Sequence, residues 1–165
     1  MHFEAYVILS ADDFDRPAKE VVKEYKEKGK VPADVLQKVI FDLAPFDEAL
    51  EVEEEDCPEC DGDGEGCEVC GETGLVSCNP NAEWDWWDIG GRWSKKGEDV
   101  WMVGEENAPE SAKEPPFAVL VDGEWTCLQS RFVEQEGLQD KAQAAWAKCV
   151  EEYQGDIVVR VDCHI

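Results

Sequence analysis

The sequence predicts an α+β fold, and three observations carry that expectation. Apolar runs rich in β-branched and aromatic residues stand near both ends of the chain, at residues 3–9 and 157–163, and read as buried strands. Between them, apolar residues recur in three separate stretches at helical spacing. Two further strand-like runs flank Asp122-Gly123, a favoured two-residue hairpin turn.

The opening strand, FEAYVIL, leads into Asp12, Asp13 and Asp15, which supply turn and N-cap chemistry, and Pro17, which suits a first helical turn. Ala18, Val21, Val22 and Tyr25 then line one helix face, and Gly29 ends the element. After Pro32 a second helix sets Val35, Leu36, Val39, Ile40 and Leu43 on one face and stops near Pro45. Residues 95–116, with two glycines and three prolines, read as a long loop around a short strand at 100–103. The hairpin at 117–128 follows. A last helix carries Leu138, Ala142, Ala145, Trp146, Cys149, Val150 and Tyr153, with Gly155 as its stop. Closed by the final strand, this βαββαβ order fits a ferredoxin-like sandwich, one domain over residues 1–165 with an insertion at about 51–78.

The insertion centres on CPECDGDGEGCEVCGETG at residues 57–74. Each of its two Cys-x-x-Cys pairs, Cys57/Cys60 and Cys67/Cys70, can present two thiolates from one tight turn, and two such turns make a closed tetrahedral zinc site. The glycines let the backbone fold back so that amides point at sulfur. Four unrelated thiols or two disulfides are the competing readings, and spacing with glycine punctuation favours structural Zn2+. The Cys-Pro-x-Cys-x-Gly-x-Gly run at 57–64 resembles the cysteine-rich zinc domain of DnaJ-type chaperones. The second pair, Cys70-Gly-Glu-Thr-Gly74, keeps the last glycine and shifts the other by one position. Two repeats rather than four, and no His-Pro-Asp signature, mean that the resemblance implies a zinc ribbon and not a chaperone. The remaining Cys78, Cys127, Cys149 and Cys163 read as reduced core residues of a cytoplasmic protein.

The net charge is −25, from 40 acidic and 15 basic residues, and Lys38 and Arg92 bracket a stretch with no cation at all. A tetrathiolate zinc centre adds negative charge to that stretch. Such a field argues against direct nucleic-acid binding and anionic membranes and favours a basic protein surface as partner. Solubility or adaptation to high salt is the competing reading of the same acidity. Seven tryptophans and six phenylalanines exclude a disordered acidic tail. No apolar run reaches membrane-spanning length, and Met1-His-Phe-Glu does not read as a signal peptide. Residues 51–56 read as a solvated linker or as an acidic partner-binding arm.

Residues 79–93, NPNAEWDWWDIGGRW, hold Trp84, Trp86, Trp87 and Trp93, with Gly90-Gly91 before Arg92. Packing around the insertion is the ordinary reading of such aromatic density. The alternative is a ligand site built from Arg92, Trp86, Trp87 and Asp85, with Arg92 paired to a carboxylate such as Asp85 or Asp88 or receiving an anion. Together with the terminal Asp162-Cys163-His164-Ile165 and the preceding Cys pairs, this stretch resembles a family of small bacterial and phage proteins. Those share an Asn-Pro-Asn…Trp-Asp-Trp…Gly-Gly-Arg-Trp core and an Asp-Cys-His-Ile end. The resemblance implies an architecture and a bacterial or phage origin, and no reaction.

His2 and His164 are the only imidazoles, beside strands expected to be neighbours. Asp162 and His164 share a strand face by period two, so the carboxylate can orient the ring. A terminal histidine capping a strand is the plainer reading of that pair. Two classes of function follow. One is a zinc-stabilised acidic protein that occupies a basic surface of a partner, such as a phage-encoded inhibitor of a nucleic-acid-handling or defence protein. The other is a small enzyme, or a binder of nucleotide-like anions, using Arg92, Asp162 and His164, with His2 as a further catalytic candidate. Phosphate-cradling loops, nucleophile elbows and His-Glu-x-x-His helices are absent from the sequence.

Overall fold

A computed structural model describes residues 1–106, 108–129 and 137–165. In chain order its regular elements are β1 (His2–Leu9), α1 (Ala18–Lys28), α2 (Ala33–Leu43), β2 (Glu53–Asp56), β3 (Leu75–Cys78), β4 (Trp86–Ile89), β5 (Val100–Met102), β6 (Ala118–Val121), β7 (Glu124–Cys127), α3 (Leu138–Glu152) and β8 (Ile157–His164). The chain forms two compact units, Met1–Asp42 with Trp87–His164, and Leu43–Trp86 with Ile165.

The larger unit is built on a sheet of order β4-β8-β1-β6-β7, with β5 also paired to β8. The α+β class is as expected; the strand order is not ferredoxin-like. That topology pairs the first strand antiparallel with both neighbours, whereas β1 runs antiparallel to β8 and parallel to β6. The reason lies in the connection. Parallel neighbours need a long crossover, and everything from α1 to β5 intervenes between β1 and β6. The β6–β7 hairpin has the expected turn, with both Asp122 and Gly123 at positive φ, 52° and 77°. Gly29 ends α1 in the left-handed conformation and its amide reaches the Tyr25 carbonyl.

Two expectations about burial need correcting. Cys163 is buried, but Cys127 is exposed, because it lies on β7 at the edge of the sheet. On α2, Val35, Val39 and Leu43 are buried, while Leu36 and Ile40 remain exposed together with Phe41. The apolar face of that helix is wider than the stripe the fold covers.

Register explains what holds the centre. His2, Glu4, Tyr6 and Ile8 of β1 stand opposite His164, Asp162, Arg160 and Val158 of β8, so all eight side chains share one sheet face. The Ile8–Val158 end joins Tyr6, Trp101, Val103, Val119 and Trp146 in an apolar cluster roofed by α3. Trp146 is tied there by its ring N–H to the Ala112 carbonyl, 2.9 Å. Toward the other end the face turns polar. Arg160 is 1% exposed. Its guanidinium donates to the Trp93 carbonyl and to Ser111 Oγ, and lies 2.9 Å from Glu4, 3.7 Å from Asp99 and over the Trp101 ring. Asp99 in turn accepts from the Tyr25 hydroxyl (3.1 Å) and the Ser94 hydroxyl (2.6 Å). Burial raises the pKa of Glu4 against the pull of Arg160, and burial likewise raises that of Tyr6.

Removing Arg160 therefore strands Glu4 and Asp99 without their cation. Arg160→Leu is expected to cost about 3–5 kcal/mol of stability, read as a lowered denaturant midpoint of the Trp101/Trp146 fluorescence transition. A midpoint within error of the parent would show that the guanidinium is not what compensates those carboxylates.

Candidate metal centre

The smaller unit has little with which to form a core. Its buried apolar residues are Leu43, Trp84 and the two thiols Cys57 and Cys67. Hydrogen bonds do part of the work. Asn79 is buried, and its amide nitrogen donates to the carbonyls of Pro45 and Asp47, each at 2.9 Å, while its oxygen accepts from Asn81 N. Glu83 N bonds to Phe46 O and Glu48 N to Trp84 O, and the Phe46 and Trp84 rings lie 5.8 Å apart. The Asn-Pro-Asn stretch is thus a clasp between residues 44–49 and 79–84. Strands β2 and β3 pair antiparallel, Glu53 opposite Cys78 through Asp56 opposite Leu75, and lead into and out of the cysteine turns. Residues 53–56 of the segment expected as a linker or acidic arm form a strand, since β3 supplies their backbone partners.

The two cysteine turns repeat each other at an offset of ten residues. Cys57 N donates to Gly74 O and Cys67 N to Gly64 O; Gly62 N reaches Cys57 O and Glu72 N reaches Cys67 O. Gly64 N donates to Cys60 Sγ and Gly74 N to Cys70 Sγ, both at 3.3 Å. This local two-fold accounts for the shifted glycine of the second turn. Asp61 and Gly62 are both at positive φ, as are Gly71 and Glu72, so either position of the pair can carry the glycine. Gly64 and Gly74 have no such latitude. A Cβ on Gly64 would lie 2.8 Å from Glu72 O, and one on Gly74 would lie 2.3 Å from Gly62 O. The turns cross too closely for any side chain.

The four sulfurs converge. Cys57 Sγ lies 3.9 Å from Cys67 Sγ, and Cys60 Sγ lies 3.8 Å from Cys70 Sγ, with all four within 4.8 Å of one another. A tetrahedral ion about 2.3 Å from each thiolate needs sulfurs about 3.8 Å apart. Disulfides need sulfurs about 2.05 Å apart, and all eight cysteines are free. The donor set thus fits one metal ion held by Cys57, Cys60, Cys67 and Cys70. The inner pair, Cys57 and Cys67, is buried, while Cys60 and Cys70 are partly accessible. At Cys60 the Gly64 amide favours the thiolate, yet burial and the neighbouring thiols push the pKa to about 11. At Cys70 burial is outweighed by the Gly74 amide and the neighbouring thiols, which bring it down to about 7.

A second polar group sits at the end of the larger unit's sheet. Asp162 is 2% exposed. One of its oxygens is 2.9 Å from His2 Nδ1 and the other accepts the Arg92 backbone N–H at 3.0 Å, with Arg92 Nε at 3.9 Å. The Gly90-Gly91 pair makes this possible, since a Cβ on Gly91 would lie 2.2 Å from Asp162 Cβ. The His2 and His164 rings meet edge to face at 4.8 Å. His2, Asp162, His164 and Arg92 are therefore brought together, and the carboxylate that Arg92 meets is Asp162. Trp86 and Trp87 are successive on β4 and point to opposite faces, and Asp85 is exposed just before the strand.

Asn79, Arg160, Asp99 and Glu4 escaped the sequence reading. A signal for one pair was present, since Arg160 and Glu4 each interrupt an otherwise apolar strand. Comparison of the chain with protein-family models, curated proteins and solved structures finds no match.

The geometry predicts one divalent metal ion per chain by elemental analysis, lost in Cys57→Ser. Gly74→Ala is expected to lower metal affinity by about 10- to 100-fold, the usual effect of disturbing a second-layer partner of a ligand. Competition with a chromophoric chelator measures it; an unchanged affinity would mean that the crossing of the turns is not needed to present the sulfurs.

Proposed function

We propose that the chain is a zinc-stabilised acidic binding protein whose smaller unit occupies a basic surface of a protein partner. Zinc is the ion of choice because a closed four-thiolate site with no water position is the structural pattern of that metal. The observation that carries the reading is the side-chain exposure of β2: Glu53, Glu54, Glu55 and Asp56 all face solvent, in a unit whose sequence contains no Lys or Arg. Glu59, Asp61, Asp63, Glu65, Glu68 and Glu72 extend the same sign over the cysteine turns. An array of carboxylates on a metal-fixed hairpin is ordered before binding, so a partner meets it without an ordering cost. Proteins that handle nucleic acids carry basic surfaces by necessity, which makes them the partner class of best fit. A phage-encoded inhibitor of such a protein is one form this function takes.

A second reading has one observation in its favour, the His2–Asp162–Arg92 arrangement with His164 alongside. A buried carboxylate that orients an imidazole next to an arginine suits a small enzyme or a binder of phosphate-bearing ligands. Titration of the chain with nucleotides and inorganic phosphate, followed by tryptophan fluorescence, tests it. A change that Arg92→Ala and His164→Ala abolish at normal folded yield supports this reading, and silence across the panel removes it.

For the principal reading, a lysine- and arginine-rich peptide serves as the probe at physiological salt. Reversal of Glu53, Glu54 and Glu55 to lysine is expected to weaken its binding by at least about tenfold, more than reversal of Glu20 and Glu27 on α1 does. Equal losses from the two sets would reduce the acidity to a general field without a docking face.

A further inference from the structure

The α2 stripe left uncovered by the fold is more than an incidental exposure. Leu36 is 36% exposed, Ile40 49% and Phe41 73%; Leu36 and Ile40 are i, i+4 neighbours and Phe41 lies about 100° further round the helix, so the three span an arc of about 140°. Single exposed apolar residues are ordinary on protein surfaces, but a run of three large ones on one helix is a surface to be covered. Phe41 also lines a cleft shared with Phe14, Gln37, Asp13 and Asp15.

The charges around the stripe specify what covers it. Asp13, Asp15 and Asp34 line the cleft beside Phe41, at one edge of the stripe, and Asp42 meets Lys38, which lies over the Phe41 ring. The two nearby cations offset part of this charge, and with Glu24 the group stays net acidic. Lys38 reaches Asp42 at 2.9 Å and Asp13 at 3.3 Å and lies over the Phe41 ring. Arg16 bridges Asp34 and Glu24. An apolar stripe with an acidic border complements an apolar stripe with a basic border. A second copy of this chain would bring acidic border against acidic border, at a net charge of −25 on each. We propose that Leu36, Ile40 and Phe41 form the anchor for a basic amphipathic helix of the partner, whose apolar residues pack on the stripe while its Lys and Arg meet the aspartates. This rests on the reading of the chain as an acidic binding protein and adds the partner's secondary structure and its apolar contact.

Two peptides of equal charge, each about 18 residues long, test it: an amphipathic helix of leucine and lysine, and a lysine-rich peptide without apolar residues. The full chain should bind the amphipathic peptide more tightly by fluorescence anisotropy at physiological salt. Ile40→Ser with Phe41→Ser, and Phe41→Ser alone, should weaken that peptide by about tenfold or more and leave the lysine-rich one unchanged. All of these side chains are exposed, and near-UV circular dichroism checks that the variants keep the parent fold. Equal binding of the two peptides, or no effect of either variant on the amphipathic one, overturns the anchor while the acidic docking face stands. Failure to bind either peptide removes the acidic-binder reading and the anchor together. A dimer of the parent chain in sedimentation that Phe41→Ser dissociates also overturns the proposal, because the stripe then belongs to a second copy.

Discussion

The four cysteine sulfurs lie within 4.8 Å of one another in a stretch without a single cation, and as thiolates they would need a positive charge at their centre to stay that close. The smaller unit depends on that constraint. Fewer than fifty residues, with Trp84 and Leu43 as the only large buried apolar side chains, cannot offset the entropy of ordering the chain by hydrophobic burial alone. The clasp at Asn79 and the β2–β3 ladder hold the ends of the unit. The turns between them are irregular, glycine-rich and acidic, and their internal order comes from sulfur. Metal binding and folding are one event for such a segment. The paired amide-to-sulfur bonds from Gly64 and Gly74 then decide how well the ion is held, because they fix where the thiolates point.

The larger unit solves a different problem. Its central strands carry Glu4 opposite Asp162, two carboxylates that would repel across the ladder. Each has its own partners: Asp162 is held by the His2 ring and the Arg92 backbone N–H, Glu4 by the Arg160 guanidinium. Slippage of β8 by one residue would send Arg160, Asp162 and His164 to the opposite face and leave their partners behind. A buried ion-pair network adds little net stability against an apolar alternative, but it penalises that slip heavily. The charged residues at the heart of the sheet thus read first as a register lock.

Periodicity made the larger unit's elements legible, and the failures share a cause. Helices, hairpin and terminal strands were found because apolar residues repeat along one element at a time. Strand order was not, because order is decided by which crossover is long enough, and that information is spread over the whole chain. The second strand pair was hidden by composition: Glu53–Asp56 has no apolar face, and only its partner Leu75–Cys78 makes it a strand. Among site residues, the four cysteines were readable from spacing because a tetrahedral ion imposes spacing. His2, Asp162 and His164 were readable from strand alternation. Arg92 was found as a lone cation, but its contact with Asp162 was not, because Asp162 lies some seventy residues away in sequence and meets it only through the Gly90-Gly91 turn.

The charge is distributed unevenly between the two units. If high salt or solubility alone had shaped the chain, lysine and arginine would be thinned throughout. Instead all 15 lie outside Leu43–Trp86, and several form close pairs with carboxylates on and around α1 and α2. Within the smaller unit self-repulsion among carboxylates opposes folding, and the thiolate site must overcome it. The smaller unit carries 15 acidic and no basic residues where the larger carries 25 acidic and 15 basic, and the partner surface proposed above is our account of that concentration. A metal ion bound by Cys57, Cys60, Cys67 and Cys70 would have two roles that cannot be separated: it would close the turns, and it would hold like charges at a density the polypeptide alone would not sustain.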